Sequence, residues 1–203
     1  MKRRELIAGA LATPFVLSAG RLMAAPVPLG EISTYLNGIK TAQAPFTQIN
    51  DDGSISTGKL YIKRPGRVRF EYDPPNEALV IAGAGAVSVF DGRGGQGETY
   101  PLSRTPLSII LDEKVDLGRA RMVTNHESDG TSTTVTAQDP DHPEYGDIRL
   151  VFTGAPVELR QWVIRNDAGE TTTVVLGGLQ TGVRLSDQMF LADMVRPQGD
   201  RNR

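Results

Sequence analysis

Two periodicities divide the chain. Between Pro28 and Ala42, Leu29, Ile32, Leu36 and Ile39 recur at spacings of three and four, which predicts an amphipathic helix. From Pro45 onward the period becomes two. Leu60 and Ile62 alternate with Lys59, Tyr61 and Lys63, and Val68, Phe70 and Tyr72 alternate with Arg67, Arg69 and Glu71. Successive side chains point to opposite faces of a strand, so each set predicts a strand with one apolar and one wet face. Further strands are predicted at 78–82, 86–90, 122–125, 131–137, 148–153, 159–165 and 170–176, separated by clusters of Gly, Pro, Asn and Asp. Asn166-Asp167-Ala168-Gly169 reads as a hairpin turn, because these residues tolerate the positive φ that tight turns require. Many short antiparallel strands predict one large curled sheet or barrel.

One apolar segment breaks this rhythm. In Thr105-Pro106-Leu107-Ser108-Ile109-Ile110-Leu111, Thr105 is placed to cap a helix, Pro106 suits its first position, and Leu107, Ile110 and Leu111 share a face. Such a short apolar helix needs a place to bury itself, either at the mouth of the sheet or in an ordinary core. Strand parity and the helix face together place Leu60, Ile62, Val68, Phe70, Leu79, Ile81, Leu107, Ile110 and Leu111 around one apolar space. Arg64 keeps step with Leu60, Ile62, Val68 and Phe70, so it points to the same side if Pro65-Gly66 holds the register. A guanidinium there needs acceptors, because an unpaired buried charge costs several kcal/mol. It is either paired in a polar seam or placed for a function. Lys63, Arg67 and Arg69 fall on the other face, where they are expected to be solvated.

The ends narrow the class. Met1-Lys2-Arg3-Arg4-Glu5, an apolar run from Leu6 to Leu17, and small residues before Ala24-Ala25-Pro26 form a signal peptide over 1–24, leaving one expected domain over 25–203. The apolar run is shorter than the roughly 20 residues that span a bilayer. Arg3-Arg4 suits twin-arginine export and general secretion alike. Leu17-Ser18-Ala19 begins a lipidation site, but Gly20 stands where a cysteine is required. The chain has no cysteine, which excludes disulfides, thiolate metal sites and cysteine nucleophiles. Removing the signal takes four cations and one anion from totals of 22 and 24, leaving a net charge of −5. That acidity argues against a nucleic-acid partner.

Catalytic signals are weak. His126 and His142 lie in polar, turn-rich stretches and read as solvated loop residues. No serine occupies a G-x-S-x-G elbow. Gly92-Arg93-Gly94-Gly95-Gln96-Gly97 matches G-x-G-x-x-G, yet it leads into Glu98-Thr99-Tyr100-Pro101 and not into the helix N-terminus that would bind phosphate. Neither an enzyme activity nor a metal or cofactor is expected.

The chain resembles the LolA family of periplasmic lipoprotein carriers. The resemblance rests on Phe46-Thr47-Gln48, on Gly58 through Tyr72 with Pro75, and on Thr105-Pro106-Leu107. It continues through Leu159-Arg160-Gln161-Trp162-Val163-Ile164 with Gly169 and Thr172, and ends near Phe190. It implies an unclosed antiparallel β-barrel with a helical lid over an apolar cavity. It implies as partners triacylated lipoproteins, an inner-membrane lipoprotein-releasing ABC transporter and, if one is present, an outer-membrane acceptor; a monomer is expected. Arg64 matches the family's arginine, whose hydrogen bonds to the lid are associated with closing the empty cavity and releasing cargo. Where the family has Asp-Gly and then an aromatic residue, this chain has Ala82-Gly83-Ala84-Gly85-Ala86-Val87-Ser88, a departure that bears on cavity shape. The alternative that the resemblance leaves is a lipid-binding envelope sensor or another periplasmic lipid-binding protein with the same half-barrel; an acceptor fixed in the outer membrane is disfavoured by Gly20.

Overall fold

The computed structural model describes residues 25–91 and 98–194, so the expected signal peptide over 1–24 and the glycine motif at 92–97 lie outside the described residues. Helix α1 (Leu29–Gly38) precedes a run of six strands: β1 (Thr41–Ile49), β2 (Ile55–Lys63), β3 (Arg67–Tyr72), β4 (Leu79–Gly83), β5 (Ala86–Phe90) and β6 (Glu98–Pro101). A long connection holding the 3₁₀ turn Leu102–Arg104 and helix α2 (Ser108–Leu111) leads to β7 (Val123–Ser128), β8 (Ser132–Gln138) and β9 (Asp147–Thr153). Strands β10 (Glu158–Arg165), β11 (Thr171–Leu176) and β12 (Gln180–Thr181) complete the set.

All twelve belong to one antiparallel sheet of order β6-β5-β4-β3-β2-β1-β11-β10-β9-β8-β7, with β12 also on β1. The first meander runs outward from β1 to the edge at β6, and the second runs inward from the edge at β7 to β11. The sheet is therefore not closed into a barrel. Its two edges are joined only through the 102–122 connection, which is the one segment whose path must run from one edge of the trough to the other.

A proline explains why β11 and β12 are separate strands. Pro45 sits in the middle of β1 and has no N–H to donate, so a continuous partner ladder fails there. Strand β11 pairs with β1 from Phe46 to Ile49, β12 pairs with Ala42 and Gln43, and between them Gly177 N–H donates to the Pro45 carbonyl at 2.8 Å.

Two expectations from periodicity need correction. The helix ends at Gly38, and β1 is already running at Thr41, so Ile39 is buried from the connection and not from a helix face. At α2 the Thr105 hydroxyl does not cap; it donates back to the Leu102 carbonyl at 2.8 Å, while Ser108 donates to the Thr105 carbonyl at 2.8 Å. The segment is consequently a series of tight turns ending in one short helical turn, with Ile109, Ile110 and Leu111 all buried.

The core lies on the concave face. Residues paired directly across strands share a face, and the chain of pairs Phe70, Leu60, Ala44 on one wing and Val174, Trp162, Leu150, Val135 on the other is apolar throughout. Phe46 meets Phe70 and Tyr72 edge-on at centroid distances of 5.4 and 5.2 Å. Ile32 and Leu36 of α1 belong to the same buried cluster, and Tyr35 meets Phe152 edge-on at 6.1 Å.

Candidate functional site

Arg64 follows β2 at the turn into β3 and is only 7 % exposed. Its Nε and Nη2 donate to the Asp112 carbonyl at 3.1 and 2.5 Å, Nη2 also reaches Asn37 Oδ1 at 3.2 Å, and Nη1 donates to the Leu36 carbonyl. Leu36 is in the last turn of α1, where free carbonyls and the helix dipole both favour a cation. The acceptors thus come from two elements that cover the trough, α1 and the segment after α2. Burial pulls the guanidinium pKa down and the nearby Asp112 charge pushes it up.

The surrounding contacts tie the same pieces. Asn37 Nδ2 donates to the Val115 carbonyl at 2.8 Å, and Val115 N–H donates to Asn37 Oδ1 at 2.9 Å. Gly66 N–H donates to the Leu111 carbonyl at 2.8 Å, joining the β2–β3 turn to the end of α2. Leu117 N–H donates to Ser33 Oγ at 3.1 Å. Sequence reasoning singled out Arg64 but missed Asn37, whose place in the helical pattern carried no sign of this role.

Further along the concave face, bordered by the Thr105-Pro106-Leu107 part of the connection, lies a cavity of about 600 Å³. Its apolar wall includes Phe70, Val80, Val87, Leu107, Trp162 and Val174, and polar groups of Gln48, Tyr72, Tyr100, Arg104, Tyr145 and Asp167 also line it. Tyr72 donates to Gln48 Oε1 at 2.6 Å, and burial pushes its phenol up to about 12, so it stays neutral. The Arg104 guanidinium stands 5.5 Å from the centre of the Tyr145 ring, a cation–π contact between the 102–122 connection and the β8–β9 loop.

Of the residues expected around one apolar space, Leu60, Ile62, Val68, Phe70, Leu107, Ile110 and Leu111 are in one buried cluster on the concave side. Among them only Phe70 and Leu107 border the 600 Å³ cavity as it stands; the others are packed in the closed core. Leu79 and Ile81 do not belong to it. They pair with Glu71 and Arg69 and so face the convex side, while Val80 and Ala82 pair with Phe70 and Val68 and face inward. The segment Leu79-Val80-Ile81-Ala82 is apolar on both faces, so its pattern could not reveal the register, and a slip of one residue exchanges the faces.

That convex face is covered as well. The C-terminal turns Asp187–Phe190 and Ala192–Met194 lie against β4, Phe190 is buried, and its carbonyl comes so close to Gly83 that a Cβ there would overlap it. The outer-face cations hold this segment in place and are not simply solvated. Lys63 Nζ bridges Asp187 at 2.7 Å and the Leu185 carbonyl at 2.8 Å, Arg67 pairs with Asp187, and Arg69 donates to the Met189 carbonyl at 2.9 Å. Lys63 and then Arg67 hold the Asp187 carboxyl below the usual carboxylate range.

Of the histidines, His126 differs from expectation: it sits half-buried on β7, with Nε2 2.9 Å from the Val27 carbonyl. His142 is an exposed loop residue, as expected, and stacks on Tyr145 at 4.8 Å. Among the described residues no group of His, Asp and Glu could hold a metal ion, and no helix is long and apolar enough to cross a membrane.

An open antiparallel trough, covered by a helix and a long connection that a buried arginine ties together, with a cavity on its concave face, defines an unclosed half-barrel. The family model described as outer membrane lipoprotein carrier protein LolA matches residues 37–193, and the chain belongs to that family. It is 26% identical over 170 residues to an outer-membrane lipoprotein carrier protein of Coxiella burnetii, covering 79% of this chain and 80% of that one. The corresponding protein of Methylococcus capsulatus is 25% identical over 174 residues, covering 80% and 82%. Among solved structures, a DUF1329 family protein from Desulfovibrio piger shares the fold at a TM-score of 0.50 and 12% identity, covering 83% of this chain and 96% of that one.

Proposed function

We propose that this protein is a periplasmic carrier that shields the acyl chains of lipoproteins in the concave cavity and moves them from the inner to the outer membrane. It receives triacylated cargo from an inner-membrane ABC transporter and passes it to an outer-membrane acceptor. The carrying observation is Arg64, a buried cation with backbone acceptors on both covering elements, on a trough whose concave face also holds a cavity bordered by Phe70, Val80, Val87, Trp162 and Val174 and by Leu107 of the same connection. Leu60, Ile62, Val68, Ile110 and Leu111 become cargo contacts once the cover, which acts as a lid, lifts.

The energetics favour such a latch. Acyl burial is worth about 0.8 kcal/mol per CH₂, so a lipoprotein with dozens of methylenes represents tens of kcal/mol of transfer. Non-covalent complexes saturate near roughly −20 kcal/mol. A carrier that buried its cargo completely in a preformed cavity would not release it. Closing the empty cavity lowers the fraction of binding-competent molecules and weakens net affinity by that fraction, which makes handover feasible.

An environment-sensitive hydrophobic dye is expected to bind the folded protein and to be displaced by a synthetic triacylated lipopeptide, but not by the same peptide without acyl chains. A folded protein that binds neither dye nor lipopeptide contradicts the carrier reading.

A further inference from the structure

Trp162 is the single tryptophan of the chain and is wholly buried, yet its indole Nε1–H has no hydrogen-bond partner among the described residues. It lies on β10 between Leu150 and Val174, meets Phe70 edge-on at 6.4 Å, and forms part of the cavity wall. Buried donors left without an acceptor are rare, and each calls for a physical reason. Apolar packing does not supply one, since a phenylalanine would present a similar ring surface to hydrocarbon with no donor to satisfy. Tyr72, on the same wall, already donates to Gln48.

We propose that the Trp162 indole N–H is the docking point for an ester carbonyl at the head of an acyl chain, so that the cavity recognises O-acyl glycerol esters and not hydrocarbon alone. The proposal rests on the carrier reading and names the chemistry that the cavity selects. An ester carbonyl accepts a hydrogen bond and brings no donor of its own, which matches a lone N–H among apolar neighbours. An amide would bring a second N–H that needs an acceptor. A fatty carboxylate would place a charge beside Phe70, Leu150 and Val174, at the cost of desolvation. In the closed form Nε1 is out of reach of solvent. Leu107 and Pro106 of the lid line the same cavity, so the donor becomes accessible as the lid lifts.

One tryptophan gives one indole N–H resonance, which makes the contact directly observable in the ¹⁵N-labelled protein. Titration with 1-palmitoylglycerol is expected to move that proton downfield. Its ether counterpart, 1-O-hexadecylglycerol, has the same chain length and no carbonyl, and should bind more weakly and leave the resonance near its original position. Trp162→Phe should lose about tenfold in affinity for the ester and almost none for the ether, the size expected for one neutral hydrogen bond. The ester occurs in the diacylglyceryl group of lipoproteins and in phospholipids, so a diacylglyceryl lipopeptide and phosphatidylglycerol are titrated in parallel. A downfield shift with either supports ester docking, and the ligand that produces it identifies the source. If ester and ether bind equally and neither moves the indole proton, ester recognition is overturned while the carrier reading stands. Failure of all four ligands to bind overturns both.

Discussion

Arg64→Leu is expected to fold, to accept acylated cargo and then to retain it when offered an acceptor membrane. The side chain is buried with only 7 % exposure, and its guanidinium donates to the carbonyls of Leu36 and Asp112 and to Asn37, with the Asp112 charge nearby. Replacing a desolvated cation by leucine removes a burial cost as well as bonds, which is why folding survives. The bonds themselves run between the sheet and its cover. Hydrogen bonds to a charged group are worth about 1.5–3 kcal/mol each, and losing them weakens the closed form alone. Each 1.4 kcal/mol of lost closure tightens apparent cargo affinity by roughly tenfold, up to the point where the open form predominates. Arg67→Leu is the control, because Arg67 lies on the convex face and pairs with Asp187. A transfer assay with purified acceptor membranes should show retained cargo for the Arg64 variant and near-normal release for the Arg67 variant. Normal release by both, or an equal defect in both, contradicts the latch.

Gly58→Ala is expected to destabilise the protein by roughly 3 kcal/mol, the upper end of the range for overpacking a core. For a chain of this size that lowers Tm by about 6–12 °C. Gly58 lies on β2 between Phe46 of β1 and Tyr72 of β3, and those two rings meet edge-on above it at 5.2 Å. An added Cβ would overlap the Glu71 carbonyl of the neighbouring strand and stand 2.8 Å from Phe46 Cε1. Backbone cannot swing aside as a flexible side chain can, so the β2–β3 ladder must shift. The contrasting substitution is Gly30→Ala in α1, where nothing lies within 4 Å of the added carbon. Helix propensity then predicts a gain of up to about 1 kcal/mol. Thermal unfolding of the two variants should show opposite signs; equal melting temperatures would mean that the floor of the trough yields more readily than its geometry implies.

What could be read from the sequence was whatever a local period encodes. The alternation of Leu60 and Ile62 with polar neighbours, and of Val68 and Phe70 with Arg67, Arg69 and Glu71, placed β2 and β3 and their inward faces correctly, because one face of each carries polar side chains. Arg64 emerged from the same parity, with a charge on the apolar side as its signal. Leu79 and Ile81 were misplaced because both faces of β4 are covered, one by the concave core and the other by the C-terminal turns, and a two-sided strand has no alternation to read. That second cover left no local trace, since it depends on Lys63, Arg67 and Arg69 meeting Asp187 and the Leu185 and Met189 carbonyls from far along the chain. Asn37 and Trp162 were hidden for a related reason. Asn37 fell outside the apolar stripe that defined the helix, and Trp162 counts as an ordinary core aromatic until its N–H is seen to lack a partner.

Native mass spectrometry of the protein isolated from its own host tests the central claim most directly, because it asks what the cavity holds in the cell. The expected spectrum contains the processed chain together with adducts whose masses are those of intact acylated lipoproteins, enriched in Arg64→Leu relative to the unaltered protein. A spectrum of unliganded chain alone in both, from cells in which acylated lipoproteins are abundant, would contradict a carrier of lipoprotein acyl chains.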